Sequence, residues 1–271
     1  MQERLIRILE AIAGAGNPVS IAELIAITGF PRATLYRNIA SLVDCGFVEE
    51  ADDGNRYVLG MRFVRIALTG KADAHVINAV GSMLQKTVKE LGETAFLARY
   101  RGGRVDIVHI VTPDDPAVPY IYPGLGPRPA HACSSAKAIA AFIEPELLDD
   151  LLEAHPMRFN AYTIVDPEEV VRELNHVRRY GYAVCDGEID EGVTSVSVPI
   201  NVDRLGAVFS MGVVGASNRM KPIIQNRVVP VLSAEAVRAA AAIMHCSVAD
   251  AESTSANALA QAREVPILAN T

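Results

Sequence analysis

Within the first sixty residues the spacing of apolar side chains switches from a helical period to a strand period. That switch restricts the possible folds more than any other feature of the chain. Residues 3–13 (ERLIRILEAIA) place Leu5, Ile8, Leu9 and Ile12 on one face, which predicts an amphipathic helix. Gly14, Gly16, Asn17 and Pro18 end it. Ser20 and Glu23 stand at capping-box spacing, so a short helix should run from Ile21 to about Thr28. Gly29 permits a sharp turn, and Pro31 suits the first turn of a third helix, Arg32 to Asp44, that buries Leu35, Ile39, Leu42 and Val43. Gly46 closes it. From Phe47 the period is two: Phe47–Glu50 and Arg56–Leu59 read as strands around a turn at Asp52-Asp53-Gly54-Asn55.

Three helices and a hairpin in this order make a winged helix-turn-helix. In such units the third helix enters the major groove with its early residues toward the base edges. Here those are Pro31, Arg32, Ala33, Thr34, Tyr36, Arg37 and Asn38. Arginine can donate two bonds to guanine and asparagine can pair with an adenine edge. Thr34, Tyr36 and Arg37 can also hold phosphates. Ser20 and the wing residue Arg56 complete the DNA-binding candidates. Residues 1–60 carry five Arg, no Lys and eight acids, yet Phe30 to Val43 holds two Arg and no acid, so the presented face is locally basic. The alternative is a winged module used for protein contacts or dimerisation alone.

The whole chain has 271 residues, is half hydrophobic and one-fifth charged, and carries a formal net charge of -7. That is globular composition with material for one large or two modest domains, and it excludes global disorder and a disulfide scaffold. No apolar run is long enough to span a bilayer, and Met1–Glu10 lacks the uninterrupted apolar stretch of a signal peptide, so a soluble cytoplasmic protein is expected. The four cysteines, Cys45, Cys133, Cys185 and Cys246, are too widely spaced for a zinc clip. Cys45 and Cys246 read as packing residues, whereas Cys133 and Cys185 lie in polar, loop-like contexts. No cofactor or metal is implied.

Residues 61–91 are mostly helical, with Gly70 and Gly81 as candidate breaks. A second unit begins near Gly92. Strands are expected at Thr94–Tyr100, Val105–Val111, Gly181–Val184, Thr194–Asn201 and Ala207–Val214. Helices are expected at Ser134–Phe142, Glu146–Ala154, Glu168–Tyr180 and Ile223–Met244. A long Pro-, Gly- and Tyr-rich loop fills 112–130, with room for a short strand. Residues 247–271 read as a flexible tail.

The chain resembles the IclR family of bacterial transcriptional regulators. The likeness is carried by Ser20-Ile21-Ala22-Glu23-Leu24 leading into Gly29–Arg37, by Leu42–Val48, and by Arg56-Tyr57-Val58-Leu59-Gly60. Gly92-Glu93-Thr94, His131–Ala138, Tyr162-Thr163-Ile164, Arg179–Ala183 and Glu188 through Gly192 to Pro199 continue it in order. Three positions depart from the family pattern: Ala136 replaces a usual Gly, Cys133 stands where Thr or Ser is common, and Cys185 occupies a position that is often acidic. The resemblance implies an α+β chain. It would comprise a winged helix-turn-helix (1–60), a linker helix region (61–91) and a GAF-like effector-binding domain (92–246). It also implies a double-stranded DNA operator, a small-molecule effector that is a small organic or aromatic acid, and a homodimer or homotetramer. The sequence has no GxSxG elbow, HExxH pair or Gly-rich phosphate loop, so no enzymatic activity is expected, and no membrane partner is expected.

Mapped residue by residue, the family's effector pocket falls on Cys133, Ser134 and Ser135 at the start of the small-residue helix, on Cys185 and Ser195, and on Ser210 and Gly212. Amides and hydroxyls at that helix start can hold an anion. Tyr120, Tyr122 and Leu125 would supply a lid or wall. Arg99, Arg101 and Arg128 are candidates to neutralise a carboxylate, against the alternative of solvated surface positions. Three further alternatives stand: a thiol redox switch through Cys133 and Cys185, a metal site from His131, Cys133 and Cys185, and a Cys-dependent hydrolase using Cys133.

Overall fold

The computed structural model describes residues 2–51, 54–115, 119–152, 156–201 and 206–245, and divides the chain into two compact units, one ending at Gly70 and the other starting at Lys71. The expected tail at 247–271 and Cys246 lie outside the described residues.

In the first unit, α1 (Gln2–Ala15), α2 (Ile21–Thr28) and α3 (Arg32–Asp44) enclose a core of Ile8, Ile12, Leu24, Leu35, Ile39 and Leu42. The capping box forms as expected. Glu23 N–H donates to Ser20 Oγ at 3.3 Å, and Ser20 N–H donates to Glu23 Oε2 at 2.7 Å. Gly29 ends α2 in the left-handed region at φ 71°, releasing the chain into the turn before α3. The hairpin strands are β2 (Val48–Glu50) and β3 (Arg56–Leu59). A two-residue strand, β1 (Val19–Ser20), adds to β3 and makes a three-stranded sheet in the order β1-β3-β2. Local sequence does not announce β1, because its strand character comes from pairing with Arg56 and Tyr57. Gly60 follows, donating its N–H to Phe47 O, and α4 (Met61–Gly70) completes the unit.

The second unit is built on one antiparallel sheet of six strands in the order β6-β5-β4-β9-β8-β7. Its members are β4 (Thr94–Arg101), β5 (Arg104–Val111), β6 (Gly126–Arg128), β7 (Ala183–Asp186), β8 (Val193–Asn201) and β9 (Ala207–Ala216). The central strands β4, β8 and β9 are buried almost throughout, so both faces of the sheet are covered. Helix α5 (Asp73–Leu91) and helix α10 (Val229–His245) pack together and onto these strands. The strands also carry α6 (Ser134–Ala140), which α8 (Pro167–Tyr180) covers in turn, while α7 (Pro145–Leu151) leans on β5. Alternation along β4 sends Phe96, Ala98 and Tyr100 into the core shared with α6, and Arg99 to the α5 side, where it meets Asp73.

Two expectations are corrected. Gly70 separates α4 from α5, but Gly81 lies inside α5 without breaking it. The single helix expected at Ile223–Met244 begins only at Val229. It is preceded by a short helix, α9 (Ser217–Met220), a 3-10 turn (Lys221–Ile223) and a π turn (Ile224–Val228). Pro222, which lacks an N–H, sits in the 3-10 turn, and Pro230 is the second residue of α10, directly after the π turn.

Candidate functional site

The outer face of α3 is defined by what its inner face buries. Leu35, Asn38, Ile39 and Leu42 point into the core, which leaves Pro31, Arg32, Ala33, Tyr36 and Arg37 exposed and Thr34 half-buried. Arg32 Nη2 donates to Tyr36 Oη at 3.3 Å, and its guanidinium lies 5.5 Å from the Tyr36 ring centroid, so the two form one surface feature a helical turn apart. That hydrogen bond holds the Arg32 guanidinium above its ordinary pKa. Arg37, next in sequence, is exposed and has no side-chain partner among the described residues.

Three of the DNA-binding candidates are otherwise engaged. Asn38 is 6 % exposed and its amide donates to Thr34 O at 2.8 Å, so the expected reading of an adenine edge by Asn38 is withdrawn. Ser20 is committed to the cap. Arg56 is exposed, but its Nη1 donates to Pro18 O at 2.7 Å and lies 3.6 Å from Glu23 Oε2, tying the wing to the start of α2.

The second unit holds a cavity of about 610 Å³, within the range of small-molecule sites. Phe96, Ile107 and Val214 from the sheet supply apolar lining, and Met157 and Phe159 add to it. Cys133, Cys185 and Ser195 supply short polar groups. The loop from Ile121 to Arg128 forms the roof, with Tyr122 lining the space while remaining 60 % exposed.

Of the expected effector residues, Tyr122, Cys133, Cys185 and Ser195 therefore come together. The others do not reach the space. Ser134 and Ser135 are fully buried one layer behind the wall. Ser134 Oγ lies 2.7 Å from Ser195 Oγ and 2.9 Å from Ser197 Oγ, and Ser135 Oγ lies 3.2 Å from Cys133 Sγ. The hydroxyls of Ser134 and Ser135 are thus satisfied internally. Ser210 is likewise buried and donates to Ser135 O at 3.0 Å. At Gly212 a Cβ would sit 2.3 Å from Ser197 Oγ and 2.6 Å from Phe96, so this glycine serves close packing of β9 rather than ligand contact. Tyr120 and Leu125 are exposed and do not line the cavity.

The arginines separate in the same way. Arg99, 1 % exposed, and Arg101 both donate to Asp73 Oδ1, at 2.5 and 2.6 Å. Burial holds Arg99 below its usual value while Asp73 pulls it back up. Arg128 lines the cavity. A buried ion pair lies close by and was not anticipated. Lys137, on α6, donates to both carboxylate oxygens of Glu188 at 2.6 and 2.8 Å, with Glu173 3.7 Å away. Burial pushes the Glu188 carboxyl up and Lys137 opposes it.

The thiol and metal alternatives lose support. Burial, with smaller contributions from Cys133 and Glu188, pushes the Cys185 thiol up to about 12, which suppresses the thiolate that a redox switch through Cys185 needs. Among the described residues no three His, Cys, Asp or Glu side chains converge as metal ligands. His131 instead turns Nε2 to Met157 O at 2.9 Å and stacks on Phe159.

Comparison with known proteins places both units. Residues 3–52 match the IclR helix-turn-helix domain model, and residues 71–243 match the model of the bacterial transcriptional regulator IclR C-terminal domain. The chain is 30 % identical over 193 residues to the HTH-type transcriptional regulator Rv1719 of Mycobacterium tuberculosis, covering 71 % of this chain and 72 % of that one. It is 26 % identical to the glycerol operon regulatory protein of Streptomyces coelicolor, covering 80 % and 85 %. Among solved structures, an IclR homologue from Microbacterium hydrocarbonoxydans complexed with 4-hydroxybenzoate aligns at TM-score 0.54 and 24 % identity, over 89 % of this chain and 98 % of that one. Thermotoga maritima IclR aligns at TM-score 0.53 and 22 % identity, over 89 % and 98 %. At these identities the two structures speak for the fold.

Proposed function

Because the chain belongs to the IclR family of bacterial transcriptional regulators, we propose that α3 reads an operator duplex and that the 610 Å³ cavity takes a small organic or aromatic acid that alters this binding. The observation that carries the reading is the division of α3. Its apolar stripe is spent on the core, and its opposite face offers Arg32, Tyr36 and Arg37 to solvent on a helix that follows a tight turn. Arg32 and Arg37 serve base edges or phosphates, and Thr34 and Tyr36 serve phosphates. Ser20 and Arg56 hold the frame, Ser20 through the cap and Arg56 through its bond to Pro18 O.

In the cavity, Tyr122, Cys133, Cys185 and Ser195 contact the effector, with Ser134 holding Ser195 from behind. The working form is a homodimer or homotetramer in the cytoplasm, matching a two-fold operator. No helix of the described residues is long and apolar enough to cross a membrane.

A gel-shift assay with DNA from the gene's own upstream region tests the DNA reading. The wild-type chain shifts the fragment, and affinity falls steeply as salt rises. Arg32→Ala and Arg37→Ala each weaken the shift without lowering the melting temperature. An unchanged shift in both variants rules out α3 as the reading helix.

A further inference from the structure

We infer that Arg128 is the group that holds the anionic end of the effector, so that the cavity selects a carboxylate over its neutral amide; this rests on the cavity being the effector site. Arg128 is half-buried at the end of β6 and lines the cavity from the roof loop. Its guanidinium carries five N–H donors. Three of its bonds go to carbonyls of its own loop: Nη1 to Pro127 O at 3.1 Å, and Nη2 to Pro123 O at 2.7 Å and Gly124 O at 2.6 Å. These bonds orient the group and leave donors over, but carbonyl dipoles do not cancel a full charge. Among the described residues no carboxylate pairs with Arg128.

The neighbouring charges fare differently. Arg99 and Arg101 share Asp73, and Arg104, which also borders the cavity, is 68 % exposed and paired with Asp106 at 3.1 Å. Asp150 and Asp190 line the cavity from exposed positions, and neither pairs with Arg128. Among the described residues the cavity therefore has one pre-oriented cation without a counter-ion in its lining, together with the apolar side chains of Phe96, Ile107, Phe159 and Val214. A half-buried charge beside apolar walls is stabilised by an anion brought in by a ligand, and the low-dielectric surroundings strengthen that pairing. The walls suit a flat apolar body on the same ligand. The chemistry that fits is an aromatic or short aliphatic monocarboxylate.

Matched acids and amides test this on the full chain by titration calorimetry: benzoate with benzamide, 4-hydroxybenzoate with 4-hydroxybenzamide, and phenylacetate with phenylacetamide. The acid of at least one pair binds about tenfold or more tightly than its amide. Arg128→Gln removes that preference by weakening the acid alone, whereas Arg128→Lys, which keeps the charge, retains part of it. A loop merely loosened by the substitution would weaken acid and amide together. Equal binding of acid and amide by the wild type, binding of neither, or an acid preference that survives Arg128→Gln overturns the assignment. Ser195→Trp, which fills the cavity, separates the two levels. If it abolishes binding while Arg128→Gln keeps the acid preference, only the role of Arg128 falls. If probes bind the filled variant unchanged, the cavity is not the effector site and the assignment falls with it.

Discussion

Lys137 Nζ stands 2.6 Å and 2.8 Å from the two carboxylate oxygens of Glu188, and both side chains are buried. The pair ties α6, which Cys133 precedes, to the turn between β7 and β8, the strands that carry Cys185 and Ser195 to the cavity. It therefore holds two walls of the site at a fixed separation without touching the space between them.

Breaking this pair from one side strands a buried charge. Glu188→Ala is expected to cost about 3 kcal/mol, because Glu173 at 3.7 Å compensates Lys137 only in part. The double variant Lys137→Met with Glu188→Leu removes both charges and should recover much of that loss. Chemical denaturation of the three proteins measures it, and a double variant as unstable as the single one would mean that packing, not charge, governs the site.

Asn38 sits in α3 but works for the fold. Asn38→Ala deletes the buried bond to Thr34 O and should lower stability by about 1 kcal/mol. Base preference at the operator, read by competition gel shift, should stay as in the wild type. A change in preference without a change in melting temperature would return Asn38 to the reading face.

The capping box gives a pH dependence with a definite sign. Hydrogen bonds from the Ser20 backbone, then from its side chain, hold Glu23 below its ordinary value of 4.5. A lowered carboxylate stabilises the folded state above its unfolded pKa, and that contribution is lost as pH falls through the folded value. The melting advantage of the wild type over Glu23→Gln should be full at neutral pH and vanish in acid. Ser20→Ala should cost about 1 kcal/mol at neutral pH.

Gly60 is required by space rather than by backbone angle. A Cβ there would lie 2.2 Å from Gly46 O and 2.8 Å from Phe47 C. Gly60→Ala must push the end of β3 away from β2, at a cost of about 2 kcal/mol. Calorimetry should show the first unit melting at a lower temperature than in the wild type.

Alkylation reports on the thiols. With Cys185 pushed up to about 12, iodoacetamide at pH 8 should leave it unmodified in the native chain and modify it after denaturation. Half-buried Cys45 serves as the internal control for reagent access. Peptide mass spectrometry reads both positions, and native labelling of Cys185 would revive the redox reading.

Much of the first unit was legible because its determinants are local: the Ser20–Glu23 cap, the left-handed Gly29 and the stripe of Leu35, Ile39 and Leu42. That stripe also contained the warning about Asn38, which falls at the i+3 position between Leu35 and Ile39 and so shares the core face. The cavity was less legible. Its wall joins residues as distant as Phe96 and Val214, which meet only when β4 pairs with β9. Ser210 and Gly212 share the face of β9 that carries the cavity residue Val214, but Ser210 lies under α6, bonded to Ser135 O, and Gly212 is packed against Ser197 and Phe96; Ser134 is covered by Ser195 and Ser197. Lys137 was hidden for a related reason: every residue of α6 is buried, so the helix has no polar face against which a charged core residue would stand out.

The hydroxyl triangle of Ser134, Ser195 and Ser197 has a consequence for how such a receptor can change its preference. Ser134 owns a single proton and can give it to either neighbour. Passed to Ser195, it frees that hydroxyl to offer its own hydrogen to a guest; passed to Ser197, it lets Ser195 turn lone pairs outward instead. A lining of this kind accommodates a donor or an acceptor by rotating three bonds, so new guests can be sampled with no change in the residues of the triangle.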